Sequence, residues 1–370
     1  MKKALFLIFH GFDPSNGISK KIGYQVDALR ACGMEVMLAY MDERQGKRRM
    51  IDQEVVADYG TGLMGKILKR TGFRAVVRKA REQAVDLVYI RSNHNANPFT
   101  IHMVRQLRRA GIRVVMEIPT YPYDQEYRAQ HMMRQIMTDR IFRHWLAREV
   151  DAIVTFSDYE RIFGQRTIRI SNGISFEQVP LKKNRAVTDE LRLIGVAEIH
   201  RWHGFDRVVK GLAAYYAQQP TLRVHFHVVG YFFTDSEEQE FRQLIADLGV
   251  ADYVTLHGRQ HGEALNELFD LCHFGIGSLG RHRVGIDRIK TLKNREYAAR
   301  GIPFVYSETD SDFDQQPYVL KAPADESALD IAQIVDFQQA LQLTAEEIRQ
   351  SIKHLSWQHQ MQHVLNAIGL

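Results

Sequence analysis

The sequence predicts an α/β fold built as two doubly wound domains. Three observations predict it. Short β-type runs alternate with helix-length stretches along nearly the whole chain, the pattern of βαβ units on a parallel sheet. The alternation stops at a polar segment, 177–185, that contains Pro180 and Lys182-Lys183-Asn184, and then restarts. The 370 residues are 45% hydrophobic and 25% charged, enough apolar material for two cores and too much for a disordered chain.

The first strand is expected at 4–9. Its apolar run is too short for a signal peptide, and His10 and Asp13 follow directly. Further strands are expected at 35–39, 87–91, 114–118 and 152–156, with helices such as 20–31 and 99–109 between them. After the break, strands are expected at 191–196, 223–229, 253–256, 274–278 and 304–306. Helices are expected at 205–216, 236–248, 263–271, 292–300 and 328–340. The expected divisions are 1–180, 181–350, and a last helix in 351–370. Two such sheets place ligands beyond the carboxyl ends of their strands, so an interdomain crevice is the expected site. No window reaches the ~20 apolar residues of a membrane-spanning helix.

Charge is uneven. Residues 1–185 carry 32 Lys+Arg and 19 Asp+Glu, a net +13, whereas the remainder carries 17 and 25, a net −8. The basic residues gather at 44–49 and 66–81. Leu63, Met64, Ile67, Leu68, Phe73, Val76 and Val77 are interleaved with the second cluster, which suits an amphipathic helix weakened at Gly72. Such a helix either lies on an anionic membrane or turns its apolar side into the core. Nucleic acid is not an expected partner, because no helix-turn-helix, RRM or zinc signature accompanies the charge. Cys32 and Cys272 make no disulfide framework and point to a reducing, cytoplasmic compartment. No Cys/His cluster has metal-ligand spacing, no Asp-x-Asp stands where a donor metal would sit, and no cofactor is expected.

The chain lacks GxGxxG, Walker A and GxSxG motifs, which disfavours common NAD enzymes, P-loop NTPases and α/β-hydrolases. Gly17 opens a helix after the first strand, where a backbone can approach a ligand and a helix N-terminus favours phosphate. A plain strand-to-helix turn has the same residues. Arg91, Tyr121, Tyr123, Asp124 and Glu126 join Gly17 as ligand-binding candidates of the first domain, because aromatics stack on flat ligand faces and carboxylates bind hydroxyls. Loop and core packing explains each of them equally well.

The stretch 290–305 holds Glu296 on a helix, then Ala299, Gly301, Pro303 and a buried strand. This resembles the donor-site helix of the retaining GT-B glycosyltransferases of family 4 (group 1). Other segments resemble the same family in order and spacing: 151–160, Asn172-Gly173, Trp202-His203-Gly204, Val229-Gly230, His257-Gly258 and Ser356-Trp357. The segment 117–124 is similar to members acting in capsular and surface polysaccharide assembly. The resemblance implies the GT-B fold, with an acceptor-binding first domain, a nucleotide-sugar-binding second domain and a C-terminal helix returning to the first. It implies that Glu296 holds the ribose hydroxyls, with Asn294, Gly230, His257 and Gly258 near the donor. The donor, UDP- or GDP-linked, is then a substrate rather than a cofactor. The implied acceptor is a glycan or lipid-linked oligosaccharide at the inner face of a membrane.

Three positions depart from the family pattern. His203 stands at the usual diphosphate-binding lysine, and Glu198 stands at the usual arginine, so Arg201, His203 and Lys293 are the candidates to stabilise the leaving diphosphate. A histidine in that role would make activity pH-sensitive near 6.5. The family also has a glutamate eight residues before Glu296, where this chain has Arg288, with Asp287 as the nearest carboxylate. That leaves open a noncatalytic nucleotide-sugar-binding or scaffold subunit, or a GT-B type epimerase, beside the transferase.

Overall fold

The computed structural model describes residues 1–13, 17–44, 46–123, 133–183 and 187–370. The chain divides into two compact units, Met1–Ser171 with Trp357–Leu370, and Asn172–Ser356.

In the first unit, β1 (Lys3–Leu7), β2 (Glu35–Asp42), β3 (Arg48–Ile51), β4 (Glu54–Asp58), β5 (Leu87–Arg91), β6 (Arg113–Ile118), β7 (Ala152–Thr155), β8 (Arg161–Ile162) and β9 (Gln165–Arg169) form one sheet. Its order is β4-β3-β2-β1-β5-β6-β7-β9-β8. The strands from β2 through β9 are parallel, and β3, β4 and β8 add antiparallel edges. β1 is the switch point, with Leu5 registered against Met37 on one side and Val88 on the other. Helices cover both faces, which is why Ala4–Leu7 of β1 and Leu87–Ile90 of β5 are apolar. α1 (Gly17–Ala31) and the last helix, α12 (Trp357–Ala367), pack Ile22, Leu29, Trp357 and Met361 against Phe6, Tyr89 and Val115. α2 (Leu63–Thr71), α3 (Arg74–Glu82), α4 (Pro98–Arg109) and α5 (Met133–Glu149) lie over the other face. There Val76, Val77, Val104 and Leu146 meet Leu7, Val88 and Val114.

Two expectations change here. The helix through 63–81 is two helices, broken at Gly72. A Cβ there would stand 2.8 Å from the Leu68 carbonyl oxygen and 2.9 Å from the Tyr59 ring. α3 buries Val76, Val77 and Ala80, whereas α2 buries only Gly65 and leaves Leu63, Met64 and Ile67 at least half exposed. The basic run 44–49 is partly strand. Its Arg49 is fully buried and donates to the carbonyls of Ile8 (2.9 Å) and Lys69 (3.1 Å).

The second unit carries β10 (Glu190–Ile199), β11 (Arg223–Phe232), β12 (Val254–Leu256), β13 (Phe274–Ile276), β14 (Phe304–Tyr306) and β15 (Val319–Lys321). They are all parallel, in the order β12-β11-β10-β13-β14-β15. This is the 3-2-1-4-5-6 order of dinucleotide-binding sheets, with the switch point between β10 and β13. Its helices are α6 (Phe205–Tyr216), α7 (Asp235–Asp247), α8 (Gly262–Leu271), α9 (Leu292–Ala299), α10 (Ile331–Ala340) and α11 (Ala345–Ser351). Leu193, Val208 and Phe226 fill one face of the sheet, and Ile194, Phe269 and Tyr297 fill the other.

Candidate functional site

The loops leaving β10, β13 and β14 are laced together by backbone bonds. Leu279 donates to the His203 carbonyl (3.0 Å), Gly280 to Trp202 (3.2 Å) and Ser307 to Ser278 (3.0 Å). The approach is close enough to require glycine at 204. Its φ is 67°, and a Cβ would lie 2.8 Å from the Leu279 backbone.

This lacing brings His203, Arg281, Lys293 and Glu308 to the switch point. Lys293 sits in the first turn of α9, whose N-cap, Thr291, accepts from the Asn294 N–H. The Lys293 ammonium is buried and has no hydrogen-bond partner among the described residues. Burial, reinforced by the Arg281 charge, pulls it down to about 7. Glu308 is 2% exposed, and neither carboxyl oxygen has a partner. Burial pushes it up to about 7, with Arg281 and Lys293 pulling the other way. Burial also lowers Arg281, whose Nε is unpartnered. Buried polar groups are normally satisfied, so this many orphaned atoms in one place mark a site waiting for a polar ligand.

His203 is buried as well. Burial, followed by the Lys293 and Arg281 charges, holds it far below the usual imidazole range, so it is neutral. Its Nδ1 accepts the His200 N–H at 3.1 Å, which leaves the proton on Nε2. His203 therefore offers a neutral N–H, and the pH-sensitive group expected near 6.5 is not this histidine. The cations of the cluster are Lys293 and Arg281.

The other donor-side candidates are placed as follows. Glu296, one turn along α9, accepts from the Arg300 guanidinium at 2.9 and 3.1 Å. Asn294 is fully buried and donates to Asp310 (3.3 Å), and its Oδ1 has no partner among the described residues. Arg201 does not join Lys293. It is exposed, pairs with Glu240 at 2.8 Å, and lines a separate cavity of about 460 Å³ with His200, Phe232 and Arg283. Asp287 and Arg288 are exposed, and this segment runs beside Thr309 through a parallel bridge. Gly230 and Gly258 meet at 2.8 Å, and a Cβ on Gly230 would fall 1.7 Å from the Ala197 carbonyl oxygen. His257 lies 2.9 Å from His227. At the end of β11, Tyr231 and Phe233 are exposed aromatics, with Arg259 4.0 Å over the Tyr231 ring.

Sequence reasoning missed Arg281 and Glu308. Neither stands in a motif. The one signal that could have found them is position, since each lies a few residues past a buried strand on either side of α9.

In the first unit, Arg91 and Tyr123 are core residues. Arg91 ion-pairs with buried Glu117, which also accepts from Tyr89 (2.7 Å) and Gln25 (2.6 Å). Tyr123 donates to Asp139 at 2.7 Å. Tyr121 is half-buried, edge-on to Tyr159 and Phe163. Gly17 begins α1, and Asp124 and Glu126 lie outside the described residues. A cavity of about 430 Å³ opens instead past the carboxyl ends of β1, β2 and β5, lined by His10, Glu43, Lys69, Asn93, Asn95 and Gln135. Among the described residues, no group of His, Cys, Asp or Glu is placed to hold a metal ion, and no helix is long and apolar enough to cross a membrane.

No family model matches the chain, and no curated protein matches its sequence. Solved structures do match its shape. HepE from Anabaena, in complex with UDP, superposes with a TM-score of 0.64 at 14% identity, over 100% of both chains. Sucrose-phosphate synthase from Thermosynechococcus elongatus gives 0.64 at 15%, over 99% of this chain and 98% of its own. An E. coli trehalose-6-phosphate structure bound with UDP-2-fluoro glucose gives 0.58 at 13%, over 99% of both. The fold of this chain is the GT-B fold of glycosyltransferases.

Proposed function

We propose that the chain is a retaining glycosyltransferase that moves a sugar from a UDP- or GDP-linked donor to a growing, lipid-linked surface glycan. The observation that carries this reading is the buried, unpartnered Lys293 ammonium beside Arg281 and His203 at the β10/β13 switch point. Breaking the anomeric C–O bond builds negative charge on the departing diphosphate. Two cations and a fixed N–H in a dry pocket are suited to stabilise it. The exposed rings of Tyr231 and Phe233 suit a nucleobase, and Glu296 the ribose hydroxyls. HepE and the E. coli protein, which share the fold, hold UDP or a UDP-sugar in their crystals, in support of this donor class.

The test is thermal shift with UDP, GDP, ADP, CMP and NAD, on the wild type and on Glu296→Ala. One nucleoside diphosphate is expected to raise the melting temperature of the wild type, with a smaller rise in the variant. No stabilisation by any of them would sink the donor site. Binding without donor hydrolysis or transfer would favour the noncatalytic subunit.

On the acceptor side, the amide-rich cavity past β1 and β5 suits a saccharide. Its apolar and basic surroundings suit a lipid carrier at the cytoplasmic face of an anionic membrane. α5 exposes Met137, Ile141 and Trp145 at four-residue spacing, with Arg140 and Arg148 between and after them. α2 exposes Leu63, Met64 and Ile67 with Lys66 and Arg70. Among the described side chains of α2 through α5, the sole exposed carboxylate is Glu82. Exposed apolar groups set among cations favour an anionic bilayer, each nearby Lys or Arg contributing about 1 kcal/mol. Co-sedimentation with phosphatidylglycerol vesicles is expected at low salt. It should weaken at least tenfold in Ile141→Asp/Trp145→Asp and fade as salt is raised. Equal binding to neutral phosphatidylcholine vesicles would exclude the electrostatic part of this surface.

A further inference from the structure

Glu308 is the unusual member of the switch-point cluster. Lys293 and Arg281 are explained by an anionic ligand, but a carboxyl beside them would repel it. Glu308 is nevertheless buried to 2% exposure with both oxygens unpartnered. Its backbone is held firmly. Its own carbonyl accepts from the Lys321 ammonium, and Thr309, next along, is bridged to Arg288, donating to the Asp287 carbonyl (2.8 Å) and accepting from Ile289 (3.0 Å). A rigid segment thus presents a carboxyl that no other residue of the described protein satisfies. Leaving such a group unmatched is costly, so a ligand with hydroxyl groups is the natural partner.

We propose that Glu308 hydrogen-bonds the hydroxyls of the donor sugar, fixing the sugar next to the diphosphate held by Lys293 and Arg281. This rests on the donor-site reading above and deepens it. A carboxyl pushed up to about 7 by burial can meet a hydroxyl in either protonation state, and its neutral form does not repel the diphosphate. The Arg288–Thr309 bridge places Glu308 one residue from the strand partner of 288.

The experiment separates the nucleotide from the sugar. Wild type, Glu308→Leu and Glu308→Gln are titrated with UDP and GDP, then with UDP-glucose, UDP-N-acetylglucosamine and GDP-mannose, and slow hydrolysis of each sugar nucleotide is followed. Leucine fits an apolar burial, so the variant should fold. Glu308→Leu is expected to bind the nucleoside diphosphate as the wild type does, within about threefold or tighter, because a repelling carboxyl is gone. Its affinity for the sugar nucleotide and its hydrolysis rate should each fall at least tenfold, with partial recovery in Glu308→Gln. Unchanged sugar-nucleotide affinity and hydrolysis in Glu308→Leu would overturn the proposal and leave the donor site standing, as would an equal loss toward diphosphate and sugar nucleotide. Absence of nucleotide binding by the wild type would overturn both.

Discussion

Lys293→Met is expected to lower sugar transfer by about 10²–10³-fold, the loss typical of removing one preorganised donor from a developing anion. The same variant should change the pH dependence of nucleotide binding. In the free protein burial brings Lys293 down to about 7 and Glu308 up to about 7. A bound diphosphate favours the charged ammonium and disfavours the charged carboxylate. Both effects draw a proton onto the pair, whichever atom receives it. Binding near pH 7–8 should therefore take up protons, and affinity should fall as pH rises above about 7. Isothermal titration with the nucleoside diphosphate in two buffers of different ionisation enthalpy measures the uptake. It should shrink sharply in Lys293→Met. Equal uptake in wild type and variant would assign the proton elsewhere.

The second large effect is on stability. Arg295 is fully buried and binds Asp310 through both guanidinium nitrogens (2.6 and 3.1 Å), with further bonds to Asp312 and to the carbonyls of Thr291 (2.9 Å) and Asn172 (3.1 Å). This network ties the start of α9 to the loop that carries Glu308. Asp310→Ala would remove the fully buried carboxylate of this ion-pair network and leave Asp312 as the guanidinium's remaining counter-charge, at a cost of about 3–5 kcal/mol. Trp202 is the sole tryptophan of the second unit. In a Trp145→Phe/Trp357→Phe background its fluorescence during urea unfolding reports the loss. A shift below 1 kcal/mol would mean that the network is less tightly coupled than its geometry indicates. Nucleotide binding should weaken in parallel, because Lys293, on the same helix as Arg295, depends on these anchors.

The strands were the most legible part of the chain. Leu87–Arg91 and Phe304–Tyr306 match their expected bounds, and β1 ends only two residues early, because buried parallel strands are continuous apolar runs with clear ends. β3 and β4 were not legible. β3 opens on two arginines and β4 is bounded by Glu54 and Asp58, and the pair lies at a sheet edge where β4 has no buried face. The sequence singles out Glu296 through its neighbours in the α9 pattern, with Lys293 beside it. Arg201 was chosen by its closeness in sequence to His203, but the turn after β10 sends it toward Glu240.

The sequence by itself determined that two βαβ arrays follow one another and that a carboxylate-bearing helix precedes a buried strand in the second. Periodicity and short motifs encode such local facts, because burial on a strand or helix repeats every two or three to four residues. Only the tertiary structure decided which charged side chains are buried together. His203, Arg281, Lys293 and Glu308 come from four separate segments, brought into one place by the parallel register of β10, β13 and β14. It also decided that α2 turns its apolar residues outward while α3 turns them in. An amphipathic pattern states that a helix has two faces. Which face meets the core depends on the sheet beneath it, and that is set by residues far away in the chain.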